Sequence, residues 1–242
     1  MQELGFSDYR EYYRYVLSQE QLGAECVTLV DRLTIHETRF FRHPPSFALV
    51  RECLLPKGTP AGEGPIQFAA WSIGCATGEE PYSLAMVLNE HFASMACSYD
   101  FRILASDISL PTLLVAEQGV YPLHRVKEVP LSLRLKYMRP IREGRLQVIQ
   151  ALRERVHFVQ ANALHEGHAA WASIDLILCQ NVLMYFTPEQ RIGLLNRLVG
   201  YLAPGGGLVL GPGEVLRWSH PKMERVRFPN TLAFRRSAMV NR

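Results

Sequence analysis

The amino-acid sequence predicts an α/β fold in which a mostly parallel sheet is covered by helices on both faces. Three observations predict it. From Gln67 onward, short apolar runs alternate with helical runs to the end of the chain. The first apolar run leads into a glycine turn that opens a helix. No internal repeat or low-complexity tract interrupts the alternation. In such folds ligands bind beyond the carboxyl ends of the strands, near the point where the strand order reverses.

The elements follow in order. Residues 7–33 read as helical, because Tyr9, Tyr12, Tyr13, Val16, Leu17, Val27, Val30 and Leu33 recur at three- and four-residue spacings. Gly58 to Pro65 is a linker rich in glycine and proline. Gln67–Ile73 is a strand, Gly74-Cys75-Ala76-Thr77-Gly78 a tight turn, and Glu79-Glu80-Pro81 the start of a helix reaching about Phe92. Phe101–Ala105 is the next strand and ends at Ser106-Asp107; Ser109-Leu110-Pro111 starts a helix that Gly119 stops. Val156–Val159 and Ile174–Cys179 read as buried strands. Thr187-Pro188-Glu189 caps a helix to Leu202, Pro204-Gly205-Gly206-Gly207 breaks it, and Leu208–Leu210 resumes the sheet. Arg225–Phe228 and Leu232–Arg235 complete it. Between residues 121 and 155 the order changes: Ser132–Met138 reads as helix, Leu146–Ile149 as strand and Arg142–Arg145 as a turn, a small inserted subdomain.

Composition sets bounds on function. A chain of 242 residues, 48% hydrophobic and 20% charged, can bury one full α/β domain and a small appendage. No apolar run reaches the ~18 residues a membrane span needs, and Met1–Arg10 lacks the apolar stretch of a secretory leader, so a cytoplasmic location without membrane insertion is expected. The cysteines at 26, 53, 75, 97 and 179 form no C-x-x-C pair and have no histidine at ligand spacing, so neither a disulfide framework nor a metal site is expected. Net charge is only +3, but residues 121–155 hold nine bases against three acids, a patch suited to a solvated face or an acidic partner.

The glycine turn lets backbone approach a nucleotide-like ligand, and an acid ending the second strand can accept hydrogen bonds from ribose hydroxyls. Gly74, Gly78 and Asp107 fit those roles. Plain strand-to-helix geometry explains the turn equally well. The run is not G-x-G-x-x-G and no Walker lysine follows Gly78, which disfavours a dinucleotide or triphosphate.

Four segments together carry a resemblance. Thr34-Ile35-His36-Glu37-Thr38-Arg39-Phe40-Phe41-Arg42, Trp71 to Ser83 with its Thr77-Gly78-Glu79-Glu80-Pro81-Tyr82-Ser83 block, Ala105-Ser106-Asp107-Ile108, and Gln180-Asn181-Val182-Leu183-Met184-Tyr185-Phe186 resemble, in order, the motifs of the chemotaxis receptor methyltransferases, the CheR family. The resemblance covers residues 28 to 236 or so. It implies a Rossmann-like class I methyltransferase domain over residues 36–242, preceded by a helical region, residues 1–35, that is short for the family. It further implies an inserted β-subdomain, S-adenosylmethionine as cofactor with S-adenosylhomocysteine as product, and glutamyl methyl esters formed on the cytoplasmic helices of a methyl-accepting chemoreceptor.

Carried over by motif, the implied cofactor contacts are Thr38, Arg42, Glu80, Asp107, Asn162, Ala163 and Asn181, beside Gly74 from the turn; Arg42 and Tyr185 face the reacting centre. An arginine forked onto the attacking carboxylate would blunt it, so Arg42 is expected to grip the carboxylate of the cofactor while the Tyr185 phenol orients the substrate oxygen. Two positions depart from the family pattern. Gln180 stands where an arginine is common and His36 where an asparagine is frequent; both keep hydrogen-bonding capacity and belong to the expected cofactor set.

The turn Arg139–Gly144 is compact with a single glycine, which favours a form that does not require a receptor tail peptide as a tether. Two other readings compete. A nucleic-acid methyltransferase is suggested by a pI near 8.6 and the basic insertion, but the run after the fourth strand lacks the Pro-Pro-aromatic pattern used on exocyclic amines. A non-catalytic receptor-binding module of the same fold would explain Gln180 and His36 as decay, against which Arg42, Glu80, Asp107 and Tyr185 are retained.

Overall fold

The computed structural model describes residues 5–18, 23–57, 64–95, 98–165, 173–215 and 217–238. Most of the expected linker, residues 58–63, and Cys97 lie outside the described residues.

Five parallel strands form the centre of a seven-stranded sheet: β1 (Ile66–Ile73), β2 (Tyr99–Asp107), β6 (Val156–Gln160), β7 (Ile174–Cys179) and β8 (Leu202–Leu210). β9 (Met223–Val226) and β10 (Leu232–Arg236) add an antiparallel edge, and the order across the sheet is β6-β2-β1-β7-β8-β10-β9. Alternate residues of the strands feed two cores. Phe68, Ala70, Phe101, Ile103, Leu176 and Leu178 pack on one face with Leu84, Met86 and Leu88 of α4 (Glu79–Ala93). Trp71, Ile73, Leu104, Ile177, Leu208 and Leu210 pack on the other with Leu194, Leu195 and Leu198 of α8 (Pro188–Tyr201). Burial on both faces is why these strands read as continuous apolar runs rather than alternating ones. The chain winds outward from β1 through β2 to β6, then crosses back to lay β7 on β1's other side. The reversal therefore lies between the carboxyl ends of β1 and β7.

The helix ends follow local chemistry. Ser109 accepts from the Thr112 N–H at the start of α5 (Leu110–Gln118), and Gly119 closes it in the left-handed region. Thr187 and Gln190 form a reciprocal capping box at α8.

The structure corrects several expectations. The N-terminal helical stretch is two helices, α1 (Tyr9–Leu17) and α2 (Ala24–Leu33), and residues 19–22 between them lie outside the described residues. Pro44-Pro45 start an unanticipated helix, α3 (Pro44–Leu49), that continues as a π-turn over Val50–Leu54. Pro204–Gly207 does not separate helix from strand: β8 already begins at Leu202 and accommodates the run as an irregularity, its pairing with β7 slipping between Ile174 and Leu176. The edge strand β9 sits two residues earlier than its apolar residues suggest. The insertion forms an antiparallel three-stranded sheet in the order β3-β5-β4: β3 (Val120–Pro122), β4 (Met138–Ile141) and β5 (Arg145–Val148). It also carries α6 (Leu131–Tyr137) and ends on the single turn α7 (Gln150–Arg153).

Candidate active site

The turn after β1 is held from below. Gly74 and Cys75 both donate to the Ser106 carbonyl, at 2.8 and 3.1 Å, and Ala76 N–H donates to Asp107 Oδ2 at 2.8 Å. Gly74 has φ +70°, and a Cβ there would stand 2.3 Å from Val182 Cγ2, so packing against the loop after β7 demands the glycine. Its other side is exposed at the end of the strand. Asp107 is nearly buried; Oδ1 accepts from Ser109 N–H at 3.0 Å, so each carboxylate oxygen already serves a backbone donor and keeps further lone pairs. Ser109, not Asp107, caps α5, and Asp107 instead ties the turn after β1 to the end of β2.

The two adjacent acids of the helix start face opposite ways. Glu79 is fully buried and turns toward the insertion, where Arg125 pairs with it at 2.9 Å and Thr77 Oγ1 donates to it at 2.7 Å. Glu80 turns under the site. Ser72 Oγ donates to its Oε1 at 2.7 Å and Gln180 Nε2 to its Oε2 at 3.1 Å. Burial pushes the Glu80 carboxyl up to about 7 despite those two donors and the nearby Arg42 guanidinium, and Glu214 raises it further. The structure therefore brings Glu80 and Gln180 into contact, with Arg42 near enough to favour the ionised carboxyl, and Gly74 packs closely on the loop that begins at Gln180.

Arg42 donates to the Glu37 carbonyl at 2.7 Å, which employs one of its five N–H groups. His36 is engaged locally: its Nε2 lies 3.0 Å from Asp31 Oδ1, and Ser109 Oγ donates to that same oxygen at 2.5 Å. This chain of bonds ties the end of α2 to Ser109, two residues past β2, so His36 braces the site from its rim. Thr38 is half-buried in the intervening segment. Beyond β6, Ala161 N–H donates to the Asp107 carbonyl, which sets Asn162 and Ala163 beside the second strand's end. Asn162 Oδ1 accepts from Leu164 N–H, and Arg197 of α8 donates to the Ala163 carbonyl. Phe40 is a core residue packed on Tyr121, as a plain structural reading has it.

Sequence reasoning missed the residue that shapes the last segment. Glu214, buried after β8, accepts from the backbone N–H groups of Asn181, Leu183 and Gly211 at 2.9, 2.9 and 2.8 Å. Asn181 sits at φ +61°, a conformation asparagine tolerates, and the clamp holds it there. Arg191 binds the Phe186 and Met184 carbonyls from the other side. Between these two grips Tyr185 ends a short 3₁₀ turn and is 55% exposed, so its ring is available to a partner. No signal in the sequence marks Glu214, because its partners are backbone groups, two of them some thirty residues away.

An α/β sheet with an exposed glycine turn, an acid ending the second strand, and a buried carboxyl with an arginine nearby at the strand reversal is the arrangement expected of an S-adenosylmethionine-dependent methyltransferase. The model of the CheR methyltransferase SAM binding domain matches residues 36–231, and the chain belongs to that family. The chemotaxis protein methyltransferase of Borreliella burgdorferi is 32% identical over 88% of this chain and 76% of that protein. Chemotaxis protein methyltransferase 2 of Vibrio cholerae is 33% identical over 86% of this chain and 71% of its own length. Among solved structures, magnesium protoporphyrin IX methyltransferase from Synechocystis, with SAM bound, superposes with a TM-score of 0.40 at 16% identity over 72% of this chain and 71% of that one. The chain is accordingly a chemotaxis-type methyltransferase that uses S-adenosylmethionine. Among the described residues no helix is long and apolar enough to cross a membrane.

Proposed function

We propose that this chain methylates glutamate side chains on the cytoplasmic helices of a chemoreceptor, forming glutamyl methyl esters. The observation that carries the reading is the hydrogen bond between Gln180 and the buried Glu80, with Arg42 near that carboxyl, at the strand reversal of a CheR-family domain. The residues fit a cofactor that carries both an ammonium and a carboxylate, because the site offers one buried carboxyl and one half-buried cation. Arg42 and Glu80 would hold those groups, and Gly74, Asp107, Asn162, Ala163, Asn181, Thr38, Gln180 and His36 line or brace the remainder. When bound, S-adenosylmethionine supplies an electrophilic sulfonium methyl group.

The protein then has little proton chemistry to do. A substrate glutamate, with an ordinary pKa of about 4.3, is ionised at neutral pH and attacks without a general base. Its carboxylate needs position and exclusion of water. Tyr185 can donate a hydrogen bond that orients the non-attacking oxygen, and the Glu214 and Arg191 grips keep that phenol where it is useful. Arg42 is occupied with the cofactor, which leaves the attacking oxygen nucleophilic.

The same reading assigns residues 1–35 to a helical N-terminal region and 36–242 to the methyltransferase domain, and places the protein in the cytoplasm. The turn between β4 and β5 is a three-residue 3₁₀ turn, Arg142–Gly144, which supports a form that works without a tail-peptide tether. Nucleic acid is not an expected substrate. The test is transfer of labelled methyl from S-adenosylmethionine to a chemoreceptor cytoplasmic fragment, scored as base-labile methanol. Label on glutamates supports the reading; base-stable label, or label on nucleic acid instead, overturns it.

A further inference from the structure

Behind Glu80 a chain of buried polar groups runs to the start of α3. Ser46 Oγ donates to Gln180 Oε1 at 2.8 Å, and His43 Nδ1 lies 2.8 Å from Ser46 Oγ. Ser46 is fully buried and Gln180 is 7% exposed, so water has little access to replace either bond. We infer that Ser46, held in turn by His43, is a positioning residue for the cofactor site: it fixes which end of the Gln180 amide faces Glu80. The inference rests on the reading that Glu80 contacts the cofactor.

The hydrogen count sets the direction. An ionised Glu80 only accepts, so the Gln180 NH2 must face it and the Gln180 oxygen must face Ser46. Ser46 has one hydrogen and gives it to that oxygen. It can then only accept from His43, whose Nδ1 therefore carries the ring hydrogen. If Glu80 takes up a proton, the amide can turn over and accept from it. That reversal requires Ser46 to turn its hydrogen to the ring and His43 to change tautomer. The relay thus opposes protonation of Glu80 at a distance.

Other groups face Glu80 as well. Ser72 from β1 donates to it, Arg42 favours its ionised form, and Glu214 opposes it. The thiols of Cys75 and Cys179 are buried, and burial keeps both protonated and neutral. Of these groups only Gln180 has an orientation that Ser46 controls. Without the Ser46 hydroxyl either amide orientation is open, the protonated form of Glu80 gains a partner at no cost, and ionisation moves to higher pH.

The experiment is calorimetric binding of S-adenosylhomocysteine to the full chain between about pH 6 and 9, an ionised Glu80 favouring the ligand's ammonium group. For the unaltered chain, affinity should rise with a midpoint near 7. Ser46→Ala should move that midpoint up by about half a unit, weakening binding about threefold near pH 6, about twofold at pH 7 and little at the alkaline end. His43→Ala, at a half-buried position, should move it the same way by less. In a Gln180→Leu background Ser46→Ala should add nothing, because its effect passes through the amide. Weakening by one factor at every pH, or an additive double variant, would show a packing role only and overturn the inference. Glu80→Gln is the control. Unchanged binding there sinks the cofactor reading of Glu80 together with the relay, whereas weakened binding with an unshifted Ser46→Ala profile sinks the relay alone.

Discussion

Glu214 holds the backbone N–H of Asn181 at 2.9 Å, fixing the left-handed residue from which the Tyr185 segment departs. The same carboxylate serves Leu183 and Gly211, so Glu214→Ala leaves three backbone donors without their acceptor. The expected loss of stability is about 3 kcal/mol, since charge-assisted bonds to a buried acceptor are worth more than neutral ones. S-adenosylhomocysteine affinity should fall along with it. Gly211→Ala should resemble it, because a Cβ there would stand 2.2 Å from Glu214 Oε2. Urea denaturation and calorimetry check both; wild-type binding by Glu214→Ala would show that the clamp does not shape the site.

How much of this was legible depends on what each residue touches. The position of Glu80 at a helix start and of Asp107 at a strand end is legible because both sit in short motifs whose spacing fixes them there. That of Glu214 is not, since a side chain that serves backbone groups leaves no partner residue type to look for. The Pro204–Gly207 run was misread for a related reason. Proline and glycines ordinarily end elements, yet here they lie in a strand whose register with β7 shifts by three residues between Ile174 and Leu176, a tertiary accommodation with no local code. β3 and β4 escaped notice because three- and four-residue strands carry too short a pattern to tell from turns, whereas β7 was read to the residue because its six positions are almost uniformly buried.

The raised Glu80 carboxyl makes a prediction about stability and pH. Its folded value, about 7, lies above the ordinary 4.5, so between those values the folded state binds more protons than the unfolded state. Glu80's contribution to stability is therefore fully present below the lower value and is lost as pH rises toward the upper one. The loss amounts to a few kcal/mol at most. Glu80→Gln should flatten this part of the profile. Thermal melts of both proteins at about pH 5 and 7.5 test it, and parallel slopes would mean that Glu80 ionises normally in the fold.

Tyr185 should separate catalysis from binding. Its 55% exposure and terminal position on the 3₁₀ turn mean that Tyr185→Phe removes one hydroxyl and little packing. Melting temperature and S-adenosylhomocysteine affinity should stay near those of the parent, while methyl transfer to receptor slows roughly tenfold, the scale of one orienting hydrogen bond. A variant with unchanged kcat would remove Tyr185 from the reacting centre.

The insertion is wired to the turn after β1, and this too can be measured. Tyr121 of β3 donates to the Thr77 carbonyl at 2.7 Å, and Arg125 reaches Thr77 Oγ1 and Glu79 at 3.1 and 2.9 Å. Glu79 is fully buried, and burial outweighs Arg125 and Thr77 in raising its carboxyl above the usual range. Removing the arginine strands that carboxyl, and because Arg125 itself is partly exposed Arg125→Ala should cost about 1 to 2 kcal/mol of stability. Removing both partners should cost less than the sum: in an Arg125→Ala background, Glu79→Gln should restore part of the loss, because a neutral amide needs no counter-ion. A full double-variant cycle by urea denaturation gives the coupling directly, with S-adenosylhomocysteine affinity measured on each member. If affinity follows the cycle, the subdomain supports the turn between Cys75 and Glu79 and a ligand on the insertion would reach the cofactor through Arg125. Additive stabilities with constant affinity would make the insertion an independent appendage that shares a border with the turn and nothing more.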